Sequence, residues 1–158
     1  MLNKLINRRR FVEATGLITV TQLASAAPKT LPTTTSLANS LAAALQAKKA
    51  LIVMVSLDGC PFCKISREHY LIPLREQQNI AIVQVNMRSR EKIKDFKSAD
   101  TTHDQLIRSW GIKVAPTVLC FGQNGIELAD RLSGAYIPDF YGTYLDERIQ
   151  RANSQIII

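Results

Sequence analysis

Cys60-Pro61-Phe62-Cys63 follows an apolar run at 51–57 (LIVMVSL) and opens a helix-like segment at 61–76. No other feature restricts the fold as much. The order is a buried-type strand, a turn, a cysteine pair and a helix. Cysteines three apart at a helix start lie on one turn, so their sulfurs can close a small ring. Cys60 precedes the helix body, where unpaired N–H groups and the positive dipole end lower a thiol pKa. Cys63 falls in the first turn and is the less exposed of the two. It is suited to resolve a mixed disulfide by attacking Cys60. Pro61 fits the first helical position because it has no N–H to lose, and Phe62 completes the turn.

Alternative readings of the pair are a structural disulfide or half a metal site. A zinc site usually takes four ligands, and the chain has no second CxxC. Haem attachment would need His where Lys64 stands. A second element, Val114-Ala115-Pro116-Thr117, leads into the strand-like TVLCF. Pro116 can be an ordinary strand-entry proline. Beside a CxxC, a substrate loop is favoured, with Ala115, Pro116 and Thr117 presenting backbone to a substrate strand.

With these residues in place, the chain resembles the thioredoxin superfamily over about 35–153. The likeness rests on Gly59-Cys60-Pro61-Phe62-Cys63-Lys64, Ala115-Pro116-Thr117, the Gln123-Asn124-Gly125 hairpin and Gly134 before the last helix. The stretch GIKVAPTVLCFGQNGIELADRLSG is similar to exported bacterial members, SoxW-like ones among them. The resemblance implies a thioredoxin-like α/β fold, a central mixed sheet with helices on both faces. It implies a cis bond before Pro116, which packs opposite the dithiol. It also implies a thiol:disulfide oxidoreductase with Cys60 as nucleophile and Cys63 resolving, and no cofactor or metal beyond the redox-active disulfide. Met54 stands where cytosolic members have a buried Asp, and Gly59 where they have Trp. The central dipeptide is Pro-Phe. These departures weaken a general-reductant role and leave the direction of electron flow open. A copper-binding module is the alternative; its relatives use a wider cysteine spacing and a downstream His.

The formal charge is +7, of which +3 falls in the first 26 residues (Lys4, Arg8, Arg9 and Arg10 against Glu13). The remaining +4 is a mild bias, not a nucleic-acid footprint. The basic start, the apolar run at 15–23 and Ala24-Ser25-Ala26 read as an export signal over 1–26. Asn7-Arg8-Arg9-Arg10-Phe11-Val12 gives it a twin-arginine-like character. A periplasmic location follows, with an uncleaved anchor as the alternative. A linker at 27–35, a domain at 36–153 and a tail at 154–158 complete the organisation. Expected partners are exported cysteine-containing proteins and a membrane dithiol donor or acceptor. A monomer is expected.

The coarse element order is α-β-α-β-α-β-β-α. Ser36 caps a helix reaching 48, with Leu37, Leu41 and Leu45 on one face. Ile65 and Leu74 are expected to point inward from the Cys60 helix. Strands are expected at 80–85, 117–121 and 126–132, the last two as a hairpin around Asn124-Gly125. The charged stretch 88–100 reads as an inserted segment. A helix starts at Thr101 or Thr102 and stops at Gly111, and Pro138 opens the last helix. Cys120 and Trp110 are expected in the core. His69 and His103 are expected on the surface. Asp58 is expected to cap the Pro61 helix or tune the site.

Overall fold

The computed structural model describes residues 30–134 and 138–156. The export-signal reading at 1–26 therefore lies outside the described residues. β1 (Leu51–Ser56) is the central strand, and all of its residues are buried. A strand covered on both faces reads as a continuous apolar run. β1 pairs in parallel with β2 (Ile82–Asn86), Ile52 opposite Ile82. On its other side it pairs antiparallel with β5 (Thr117–Phe121), Val53 opposite Leu119. The edge strand β6 (Leu132–Ser133) adds to β5, so the order is β2-β1-β5-β6. The sheet is mixed, with helices on both faces.

The two-residue period of a strand sends alternate side chains to opposite faces. Ile52, Met54, Val118 and Cys120 join Leu71, Tyr141, Leu145 and Ile149 in one core layer. The last three come from α5 (Pro138–Ser154). Leu51, Val53, Leu119 and Phe121 take the other face. They pack against Leu37 and Leu41 of α1 (Leu37–Gln46) and Leu106 and Ile107 of α4 (His103–Ser109). Each fully buried aliphatic side chain contributes roughly 1.5–3 kcal/mol.

The Cys60 helix is not uniform. α2 (Pro61–Ile65) widens into a π-helical stretch (Ser66–Leu71) and narrows again as α3 (Ile72–Gln78). The Ile72 N–H donates to the Arg67 carbonyl, five residues back. The widening comes just before Pro73, which lacks an N–H and whose ring would crowd the carbonyl four residues back. The inward positions are consequently Cys63, Ser66 and Leu71. Ile65, expected to point inward, is 39% exposed, and Leu74 is half-buried.

Ser36 caps α1, its hydroxyl accepting the Asn39 N–H. Thr102 caps α4 in the same way through Gln105 N–H, and Gly111 follows with φ +69°. The inserted charged segment forms a small ribbon of β3 (Lys92–Lys94) and β4 (Asp100–Thr102), anchored by the buried Ile93. Residues 30–35 lie against the sheet. Leu31 is buried, and the Gln84 N–H donates to the Pro32 carbonyl at 2.9 Å.

The expected strand at 126–132 is mostly irregular. Asn124 and Gly125 have φ of +59° and +72°, and Ile126 N–H donates to Gln123 O, as a type I′ turn requires. Phe121 faces Glu127, but Val118 faces Leu132. The second strand thus has more residues between these pairs than the first. The excess loops out, and regular pairing resumes only at Leu132–Ser133.

Candidate functional site: the Cys60–Cys63 turn

β1 ends at Ser56, and the chain turns through Asp58 and Gly59. The Cys60 N–H donates to the Leu57 carbonyl at 3.2 Å. Gly59 has φ +73°, and open space surrounds the position a Cβ would take. The constraint is therefore conformational: the turn needs a left-handed residue, which glycine supplies without strain.

Cys60 is the N-cap of α2 and has extended backbone (φ −82°, ψ 112°). Its Sγ accepts the Cys63 N–H at 3.1 Å. The sulfur therefore does what Ser or Asp oxygens do at other helix starts. Asp58, one of the expected capping groups, does not take that place. Pro61 occupies the start of the helix. Cys60 and Cys63 are joined as a disulfide. Cys60 is half-exposed, and Cys63 is only 1% exposed. Phe62, between them, points outward at 52% exposure.

The second element meets the first. Ala115 carbonyl oxygen lies 3.9 Å from Cys60 Sγ. The Ala115–Pro116 peptide bond is cis. Pro116 is buried, and its carbonyl accepts the Gly134 N–H at 2.7 Å. Thr117 is also buried; its hydroxyl donates to the Val114 carbonyl at 2.7 Å. Ala115 stays half-exposed, and Val114 is exposed. Residues more than fifty positions apart in sequence thus flank one sulfur.

Beneath the turn the core is apolar. Met54 is fully buried and shares a cluster with Cys63 and Leu71. Polar groups run instead along the neighbouring strand. Arg67 Nη1 donates to Gln84 Oε1 at 2.9 Å, and Gln84 Nε2 donates to Asn86 Oδ1 at 2.7 Å. The Asn86 N–H then donates to His103 Nδ1 at 3.1 Å.

His103 corrects the surface expectation, because it is 1% exposed. It opens α4 three and four residues before the buried Leu106 and Ile107, so it shares their face. That spacing was a usable signal. Burial lowers its pKa, with Glu91 opposing. His69 is exposed, as expected. Cys120 is buried and free, and burial pushes its thiol up to about 12. Arg67, Gln84 and Asn86 had no sequence signal, since only the sheet brings them together.

A cleft of about 420 Å³ opens beside Cys60, with Asp58, Lys64 and Arg67 among its walls. A more voluminous hollow of about 660 Å³ lies by Glu127, Asp130 and Arg131 and shares no residue with the Cys60 turn. Its charges satisfy each other: Arg131 Nε donates to Glu127 Oε2 at 2.8 Å, and Arg131 Nη1 donates to the Trp110 carbonyl at 2.6 Å. The smaller cleft is the one that adjoins reactive atoms. Among the described residues no helix is long and apolar enough to cross a membrane.

Residues 37–148 match the family model described as a thioredoxin-like domain. No curated protein matches the sequence. Solved structures similar in fold include a thioredoxin from Fasciola hepatica. It is 18% identical, with 77% of this chain and 99% of that one covered and a TM-score of 0.49. A thioredoxin-fold protein from Helicobacter pylori is 15% identical, with 70% and 83% covered and a TM-score of 0.48. The periplasmic thioredoxin SoxS from Paracoccus pantotrophus, in reduced form, is 17% identical, with 66% and 99% covered and a TM-score of 0.44. The chain belongs to the thioredoxin-like domain family, and within that domain Cys60 and Cys63 are joined as a disulfide.

Proposed function

We propose that this chain is an exported oxidoreductase that exchanges disulfides with cysteine-containing proteins, Cys60 acting as nucleophile and Cys63 as resolving thiol. The observation that carries this reading is the asymmetry of the pair: Cys60 is half-exposed and holds the Cys63 N–H, whereas Cys63 is buried. A partner can reach only the first sulfur readily. On reduction, the same N–H would hydrogen-bond a Cys60 thiolate and lower its pKa.

In the reducing direction, Cys60 thiolate attacks a substrate disulfide and expels one substrate thiolate, which takes a proton. Cys63 then attacks the Cys60 sulfur and expels the second. The protein leaves as the disulfide and the substrate as two thiols, so two electrons pass to the substrate. The reverse sequence oxidises a substrate dithiol. No further cofactor is needed. The apolar floor that includes Met54 offers no proton acceptor, so proton transfer falls to another group or to solvent at the half-exposed Cys60. Ala115, Pro116 and Thr117 form the substrate-facing loop, with Pro61 and Phe62 supporting the turn. The basic, apolar N-terminal sequence supports export to the periplasm, where a membrane dithiol donor or acceptor would reset the pair. The protein acts as a monomer. His103, the histidine on which the copper reading rests, is buried with Nδ1 already accepting a hydrogen bond.

The test is trapping. Cys63→Ser should accumulate mixed disulfides on Cys60 in non-reducing gels of periplasmic extract, because the resolving thiol is gone. Adducts on the Cys60→Ser variant instead would reverse the assigned roles.

A further inference from the structure

The cleft beside Cys60 carries unbalanced charge. Its walls include Ser56, Asp58, Cys60, Pro61, Lys64 and Arg67. Lys64 and Asp58 are exposed, and neither joins an ion pair among the described residues. Arg67 is half-buried, and its bond to Gln84 Oε1 holds the guanidinium in place. A cation already fixed loses less freedom when it meets an anion. Two cations therefore face one carboxylate, and Asp58 reduces the positive excess without cancelling it.

The excess continues past the cleft. The Met87 N–H donates to the Ser56 carbonyl at 2.8 Å, joining the ends of β2 and β1. A second cleft, of about 380 Å³, begins at Met87 and carries Arg88, Arg108 and Lys113 over an apolar floor of Ile107 and Ile112. Asp104 is its only acidic lining residue, and Arg108 pairs with it at 2.7 Å. Arg88 and Lys113 are exposed, with side chains in no ion pair among the described residues.

We propose that the cleft lined by Lys64 and Arg67 is a specificity subsite for an acidic side chain of the polypeptide substrate, placed close in sequence to the reacting cysteine. The proposal rests on the oxidoreductase reading and deepens it. Lys64 lies one helical turn after Cys60, so the two positions are neighbours on the helix surface, about 5–6 Å apart at Cβ. A substrate whose cysteine sits on Cys60 therefore brings a side chain one or two residues away within reach of the cleft. A partly walled cleft screens a charge pair less than open surface does. The basic band beyond it also speeds the approach of acidic segments.

The experiment uses the full chain, pre-reduced, in single-turnover reactions with three disulfide peptides. They differ only at the position two residues from the cysteine, which is Glu, Gln or Lys. At low salt the rate constants should fall in that order, with roughly tenfold between the extremes. In 1 M salt, where screening acts within about 3 Å, the spread should collapse. Lys64→Glu should invert the order. The ratio is read within each protein, so any general effect of Lys64 on Cys60 reactivity cancels. Equal rates for the three wild-type reactions, or an unchanged order in Lys64→Glu, would overturn the subsite while leaving the dithiol chemistry standing. Failure to reduce any peptide would overturn the oxidoreductase reading, and this proposal with it.

Discussion

Cys60 and Cys120 are the same side chain in two places that differ in nearly every physical respect. Cys60 lies past the end of β1, half-exposed, with its sulfur accepting a helix N–H. Cys120 lies within β5, opposite Ile52, inside an apolar layer with Val118 and Tyr141. An N–H donor meets the first sulfur, whereas burial at the second penalises a thiolate and pushes the thiol pKa up to about 12. Reactivity here is a property of location, because desolvation and available donors set the energy of the charged form. The same logic separates the half-exposed Cys60 from the buried Cys63 three residues on.

The largest test of that contrast is substitution of each sulfur for its effect on exchange. Cys60→Ser should lower peptide-disulfide turnover roughly 10³-fold or more, as loss of a covalent nucleophile does. Cys120→Ala should leave turnover within about twofold, because nothing at the turn depends on it. Comparable losses in the two variants would erase the distinction between a reactive and a packing sulfur.

Thiol labelling sharpens the same comparison. In the reduced native protein at pH 8, iodoacetamide should modify Cys60 at least about a hundredfold faster than Cys120. Mass spectrometry of the digested protein gives both rates. Similar labelling in the folded state would mean that Cys120 is neither dry nor enclosed.

Stability should respond in the opposite sense. Cys120→Ala should cost roughly 1 kcal/mol in urea unfolding, from a small cavity beside Val118 and Ile52. Folded Cys120 has a raised pKa, so its contribution is complete below the unfolded value of about 8.5. It is lost as pH climbs toward about 12. The variant should therefore show a shallower alkaline decline than the wild type.

His103 supplies the smallest effect and the opposite pH dependence. Its folded pKa is lowered by burial. The unfolded chain takes up a proton near pH 6.5 while the folded one resists, so stability is full above that pH. It falls as pH drops toward the folded value. His103→Gln should flatten this acid limb in unfolding curves taken from pH 7 to pH 5. An unchanged acid limb would show that the buried imidazole does not titrate in that window.

Much of the fold was legible because its signals are local. The run at 51–57 announced a central strand, Ser36 and Thr102 announced helix caps, and Asn124-Gly125 announced a turn. Each depends on neighbours within four residues. The misses have separate causes. The strand expected at 126–132 has suitable side chains, but the ladder after the turn needs matching residue counts, and the looped excess breaks it. Ile65 lies two residues after the buried Cys63, about 200° round the helix, and so faces out. His103 stands at a helix start, which suggests an exposed end, but its spacing to Leu106 and Ile107 puts it on their buried face.

The sequence by itself determined the spacing of the cysteine pair. Cys60, Pro61 and Cys63 sit within one helical turn, so the local helix start is enough to bring the two sulfurs together. Only the tertiary structure decided what surrounds that pair. It placed Ala115 O 3.9 Å from Cys60 Sγ and put Arg67 in contact with Gln84. It also set His103 Nδ1 to accept the Asn86 N–H. These contacts join residues from different strands and helices, brought together when the sheet buries its two apolar faces. The energy that assembles them is spread over the core, so no short stretch of sequence carries their signature.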